Sequence, residues 1–222
     1  MYCITFRTNL SSLLIRKRRS YALSLTHQHI SRTSHLSVLH QGPLILPDLY
    51  AMLLRFRTAP YAVTADVEKA FLQIRLHELV RDATRFFWIK NVDAPVDNDN
   101  LTTYRFTRVT FGINTSPFLP GATVCHHLRA TVEDEELAEE IRENLYVDNL
   151  ILTANSPAEF RRKANKARRI FDDMGMNLRQ FLSNETTINE AFPEEVGAQS
   201  TSQKVLGIMW DAKNDTLYTY FH

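Results

Sequence analysis

The chain has 222 residues, 44% hydrophobic and 23% charged, an ordinary globular composition with length enough for one substantial core or two small lobes. No apolar run approaches the ~18 residues of a membrane span, and two cysteines, Cys3 and Cys125, are too few for a disulfide framework and fit no metal-ligand spacing. The net charge of +1 conceals an asymmetry: residues 1–47 hold no Asp or Glu against six Lys or Arg, so the other 20 basic and 25 acidic residues leave −5 for the remainder.

Taken in chain order, the basic start (Arg7, Arg16, Lys17, Arg18, Arg19, Arg32) has no clear apolar period. A nuclear-localisation patch, a nucleic-acid-binding arm and a transit peptide share its composition, and so does a plain extension. Residues 1–38 are read as that extension, disordered or unrelated to the rest of the chain, and with no credible secretory signal an intracellular setting is expected. Gly42-Pro43 and Pro47 break the chain. Leu49, Met52, Leu53 and Phe56 then fall at near-helical spacing, and Ala59-Pro60 ends that helix. Tyr61 to Asp66 is a short apolar strand with a carboxylate at its end. Arg85–Ile89 and Tyr104–Val109 predict two more strands, with the polar stretch 91–100 as the loop between them.

Ser116-Pro117 has the chemistry of an N-cap followed by proline at the first helical position, predicting a helix to about Ala130. Pro120 is tolerable there only because it falls in the first turn. Seven acidic residues between Glu133 and Glu143, with Leu137 and Ile141 four apart, predict a solvated helix with one apolar edge. The run 144–153 predicts two strands folded back at Asp148-Asn149. Ser156-Pro157-Ala158-Glu159 is a capping box. It opens the clearest helix, with Phe160, Ala164, Ala167, Ile170, Phe171 and Met174 on one face and a basic row from Arg161 to Arg169 on the other. Lys204–Trp210 and Leu217–Phe221 predict an antiparallel pair. The whole is an α+β layout, helices backing an antiparallel sheet.

Two carboxylates carry the chemistry. Alone, Asp148 at a hairpin tip reads as turn chemistry, and Asp66 reads as a strand end. Together, on neighbouring strand tips, they suit Mg²⁺, a hard cation that takes oxygen ligands and keeps water and substrate phosphates.

The surrounding blocks sharpen this. Asp66-Val-Glu-Lys-Ala-Phe71, Phe111-Gly112-Ile-Asn-Thr-Ser116-Pro117-Phe118 and Leu145-Tyr-Val-Asp148-Asn149 resemble, in order and rough spacing, motifs A, B and C of reverse transcriptases. The stretch 171–184 is similar to motif D and its sequel, and Lys204-Val-Leu-Gly-Ile-Met-Trp210 to the motif E hairpin. His40-Gln-Gly-Pro-Leu-Ile-Leu-Pro-Asp-Leu49 and Gly175-Met-Asn-Leu-Arg179 resemble most the Bel/Pao group of LTR retrotransposons. The resemblance covers about residues 39–222. It implies a reverse transcriptase palm with partial fingers and no thumb, ending at the primer-grip hairpin. It further implies an RNA-directed DNA polymerase using two Mg²⁺ or Mn²⁺ ions.

By the same resemblance, Asp66 and Asp148 are the catalytic metal ligands, with the Val67 carbonyl and Asn149. Phe71 is the steric gate against a ribose 2′-hydroxyl, next to Phe111 and Gly112 at the nucleotide. Tyr146, Ser116, Pro117, Gly207 and Trp210 lie along primer and template, with core packing equally open for Tyr146 and Trp210. The implied partners are an RNA or DNA template with its primer, deoxynucleoside triphosphates and other parts of a retroelement polyprotein, with no membrane. The pattern departs at Asn149, where a second Asp is common, so the site carries one negative charge fewer unless Glu68 or another acid compensates. A palm that folds but polymerises nothing, at most binding nucleic acid, is the competing expectation.

Overall fold

A computed structural model of the chain describes residues 41–95 and 97–219; the basic extension 1–38 lies outside these. The described chain divides into two units, one built from Leu44–Ala70 and the chain from Pro120 onward, the other from Phe71–Leu119 with the residues just before Leu44.

The first unit is an α+β layer. Helix α1 (Leu49–Thr58) is capped by Asp48, whose carboxylate accepts from Ala51 N at 2.8 Å, and buries Met52 and Phe56. It stops at Ala59, which is extended before Pro60. Strand β1 (Tyr61–Val67) follows. Helix α2 (Ala70–Gln73) is a single turn at the division between the units.

The second unit holds the one-turn helix α3 (Glu78–Arg81), a 3₁₀ turn (Asp82–Thr84) and the hairpin of β2 (Arg85–Ile89) and β3 (Leu101–Arg105). Strand β3 ends where Tyr104–Val109 was expected to be one strand. Phe106 N donates to the Thr84 hydroxyl at 3.1 Å, and the chain then pairs through Thr107 and Val109 with Leu76 and Ile74. The 91–100 loop is knitted by buried Asn100, whose amide donates to the Asn91, Ala94 and Pro95 carbonyls.

Helix α4 (Phe118–Thr131) begins two residues after Ser116, whose hydroxyl donates to the Thr110 carbonyl. Pro120 is its third residue, where no intrahelical N–H is lost. A Cβ on Gly121 would meet Ile45 Cδ1 at 3.0 Å, so close packing against Ile45 accounts for the glycine. Helix α5 (Glu135–Asn144) is capped by Asp134 and buries Leu137, Ala138 and Ile141. Strands β4 (Leu145–Tyr146) and β5 (Asn149–Ala154) come next, then helix α6 (Pro157–Asp173), capped by Ser156 and buried on the predicted face. Lys163, expected on the solvated basic row, is buried instead and bridges Glu140 at 2.8 Å and Glu159 at 3.1 Å.

Strand β6 (Leu178–Ser183) and the short helix α7 (Thr186–Asn189) lead to a three-stranded meander, β7 (Ser202–Val205), β8 (Ile208–Asp211) and β9 (Thr216–Tyr218). Lys204–Trp210, one strand by its apolar run and a hairpin by its resemblance to motif E, is a hairpin. It folds at Leu206 and Gly207, both of positive φ, the pair of angles that a type I′ turn requires.

The principal sheet runs β4-β5-β1-β6, antiparallel throughout. One face of β1 presents Ala62, Thr64 and Asp66. Ala62 clusters with Ile151 and Leu182 from the neighbouring strands, and this patch packs under Met52 and Phe56 of α1 and under Val205, Trp210 and Ala212. Gln203 of β7 donates to the Thr64 hydroxyl. The other face of β1 and β5 (Val63, Ala65, Val67, Leu150, Leu152) is at most 3% exposed, and α5 and α6 are packed on β5. Among the described residues no helix is long and apolar enough to cross a membrane.

Candidate active site

Where the cover of the first face ends, the sheet leaves one row of polar side chains. Tyr146 pairs across the ladder with Asn149, Asn149 with Asp66, and Asp66 with Arg179, one residue from each of the four strands. Directly opposed residues in an antiparallel ladder point to the same face. All four are partly exposed, whereas Leu145, Leu150, Ala65, Val67 and Leu178 beside them are buried.

Asp148 joins this row from the β4–β5 turn. Tyr146 and Asn149 are partners, so the loop is Val147-Asp148, one residue earlier than the sequence suggested. Of these two only Val147 has positive φ, at 59°, the pattern of a type II′ turn. This removes the plain turn explanation for Asp148, because the backbone angle that favours Asp in hairpins falls on its neighbour. A β-branched residue in that region is strained by roughly 1–3 kcal/mol. The loop is fixed from both sides: Val67 N donates to the Asp148 carbonyl at 2.7 Å, and the Asn149 amide donates to Asp148 Oδ1 at 2.8 Å.

Burial pushes the Asp66 carboxyl above the usual carboxylate range, and the Asp148 charge adds to the rise; Arg179 opposes it and Glu68 contributes further. Glu68 is engaged elsewhere. It accepts from the Asn177 amide at 3.0 Å and lies 3.5 Å from Arg179 Nη1, and these two contacts, in that order, hold its carboxyl below the usual range. Among the described residues no group of three or more His, Cys, Asp or Glu forms a metal cluster. The donor set still fits Mg²⁺, which is bound through one or two carboxylates and completed by water and substrate phosphates. Asp66, Asp148 and the Val67 carbonyl are the residues that would hold it.

The remaining candidates fall in two groups. In the first unit, Tyr146 is half-buried against the Met52–Trp210 cluster. Trp210 is 0% exposed, edge-on to Phe56 with centroids 4.9 Å apart, and its Nε1 donates to Asp215 at 3.0 Å. Its ring is core, whereas Gly207 in the turn is exposed. In the second unit, Phe71 and the largely exposed Phe111 form an edge-to-face pair at 6.1 Å. Gly112 has φ 86° with nothing within 4 Å of a built Cβ, so its freedom serves the backbone turn. Ser116 is buried and Pro117 exposed. Arg179 was not singled out from sequence. It also lines a pocket of about 430 Å³ with Gln180, Glu194, Glu195 and Gln203, a pocket to which neither Asp66 nor Asp148 contributes.

A family model described as reverse transcriptase (RNA-dependent DNA polymerase) matches residues 12–209. Among solved structures, a foamy viral protease-reverse transcriptase in complex with an RNA/DNA hybrid is similar, with a TM-score of 0.49 and 16% identity. The match covers 75% of this chain and 18% of that one. No curated protein matches.

Proposed function

Because this chain belongs to the reverse transcriptase (RNA-dependent DNA polymerase) family, we propose that its four-stranded sheet is a polymerase palm that adds deoxynucleotides to a primer 3′ end on an RNA or DNA template. The observation that carries the reading is that Asp66 of β1 pairs with Asn149, the residue that follows Asp148 out of the β4–β5 turn, with the Asp66 carboxyl raised by burial and by Asp148 itself. Such a centre is poised to accept divalent cations. Two bound Mg²⁺ or Mn²⁺ ions would activate the primer hydroxyl and neutralise the leaving pyrophosphate.

The chain's own contribution is positioning. The strained Val147 turn and the Val67 N–H to Asp148 carbonyl bond fix the second carboxylate. Asn149 orients it through its amide, supplying a hydrogen bond where a second Asp would supply charge. We assign Phe71 the exclusion of a ribose 2′-hydroxyl, with Phe111 and Gly112 beside it, and Tyr146 and the Gly207 turn the support of the primer. The wording of the blocks around His40 and Gly175 favours a Bel/Pao-like LTR element, in which other parts of the polyprotein would be partners. Primer extension with Mg²⁺ or Mn²⁺ tests the reading. Asp66→Asn and Asp148→Asn should each lower extension by at least ~10³-fold while leaving the circular dichroism spectrum unchanged. Equal activity in wild type and both variants would sink it.

A further inference from the structure

We propose that Arg179 is a positioning residue of the carboxylate centre: paired across the ladder with Asp66 and tied to Glu68, it holds the Glu68 carboxylate away from a divalent ion, so that Asp66 and Asp148 are the two carboxylates that ligate the metal. The inference rests on the reading of those two aspartates as metal ligands.

The register is the first support. Val63 pairs with Ser183 and Thr64 with Leu182, but beyond them the ladder slips, and Asp66 pairs with Arg179. The slip absorbs one extra residue of β6, and Gln180, at φ 56°, takes the bulge conformation. A bulge here therefore aims a cation at Asp66. The second support is the occupation of Glu68. Its Oε1 lies between Arg179 Nη1 at 3.5 Å and Lys69 Nζ at 4.0 Å, its Oε2 accepts from Asn177 at 3.0 Å, and its backbone N–H donates to the Asn177 carbonyl at 2.9 Å. The third is that Arg179 Nε is buried with no hydrogen-bond partner among the described residues. An unpaired buried donor is unfavourable, so attraction to Asp66 and Glu68 must offset it.

The chemical consequence is a matter of ligand count. A third carboxylate on the ion would take a position otherwise left to water or phosphate and would raise the affinity for free metal. Removing Arg179 both takes away one of the contacts that hold Glu68, leaving Asn177 and Lys69, and deletes a nearby positive charge, and each change tightens binding of free metal. Removing Glu68 releases Arg179 towards Asp66 and weakens it.

The test uses Mn²⁺ alone, its free concentration read by electron paramagnetic resonance, on the full 222-residue chain. Arg179→Gln should bind Mn²⁺ roughly three- to tenfold more tightly than wild type, Arg179→Lys within about twofold of it, and Glu68→Gln more weakly. The double variant Arg179→Gln/Glu68→Gln should return to within about twofold of wild type. Folded Arg179→Gln that binds no more tightly than wild type overturns the inference. Should Arg179→Gln not fold, Glu68→Gln decides, and unweakened binding there overturns it equally. Wild type that binds no Mn²⁺ overturns the metal-site reading and this inference together. Binding that Asp66→Asn abolishes, but Arg179→Gln leaves unchanged, overturns this inference alone.

Discussion

Asp66 faces Arg179 across the β1–β6 ladder because β6 spends one extra residue between Leu182 and Arg179. Continued without interruption, the register of Val63 with Ser183 and Thr64 with Leu182 would set Gln180 opposite Asp66. The exchange of an amide for a guanidinium is the electrostatic content of the bulge, and it explains why Arg179 is among the charges acting on Asp66.

The bulge makes the first prediction. Gln180 occupies the left-handed region at φ 56°, where an L-residue costs roughly 1–2 kcal/mol. Gln180→Gly should relieve part of that, partly offset by the entropy of glycine, and raise stability by up to ~1 kcal/mol. Gln180→Pro, which requires φ near −65°, should lose more than that and disrupt the Asp66 pairing. Urea midpoints of the two variants measured against wild type would check the order. Equal midpoints would mean that the bulge is not a fixed feature of the fold.

Asp66 makes the second, through pH. Its folded-state carboxyl is raised by burial and by Asp148, so the folded chain holds that proton more tightly than the unfolded chain. Below the ordinary carboxylate value of about 3.9 both states are protonated and the side chain is neutral to stability. As pH rises through the raised folded value the unfolded state gives up its proton first, and stability falls. Asp66→Asn should therefore gain stability over wild type across that window and keep the advantage at neutral pH. Mn²⁺ should reverse the order by stabilising wild type alone, by about 2.7 kcal/mol at 100 times its dissociation constant. Melting curves with and without Mn²⁺ at pH 4 and pH 7 measure both effects.

How much of this could be read from sequence depends on which signal each residue carries. Helix α6 was legible in its start and its apolar face because Ser156, Pro157 and Glu159 announce the one and the Phe160–Met174 stripe the other. That Asp66 lies near the end of a strand and Asp148 in a hairpin turn was legible from the apolar runs that lead into them. Strand β6 was not, since the bulge at Gln180 breaks the period-two alternation and leaves Phe181, Leu182 and Ser183 buried in succession. With the strand hidden, its register was hidden too, and Arg179 had no visible partner. Lys163 looked like one more residue of a basic row, because the acids that pair with it, Glu140 and Glu159, meet it only in the packed structure. The apolar run around the Leu206-Gly207 turn reads by itself as one strand, and only the resemblance to motif E pointed to a hairpin there.

Trp210 gives the last prediction, because the core and the primer readings of the meander separate there. The ring is fully buried against Phe56, and its Nε1 shares Asp215 Oδ1 with Arg57, which donates at 2.7 Å. Trp210→Ala should cost about 3–5 kcal/mol of stability. Trp210→Phe keeps an aromatic ring beside Phe56 and should cost roughly 1–2 kcal/mol, since the lost hydrogen bond still leaves Asp215 its arginine. Once corrected for the folded fraction, extension by Trp210→Phe should show an unchanged KM for primer. Gly207→Ala, at φ 94° in an exposed turn, should instead weaken primer binding several-fold if the turn backbone supports the primer as proposed. A folded Trp210→Phe with weakened primer binding beside an unaffected Gly207→Ala would reverse the assignment and return the indole to the primer.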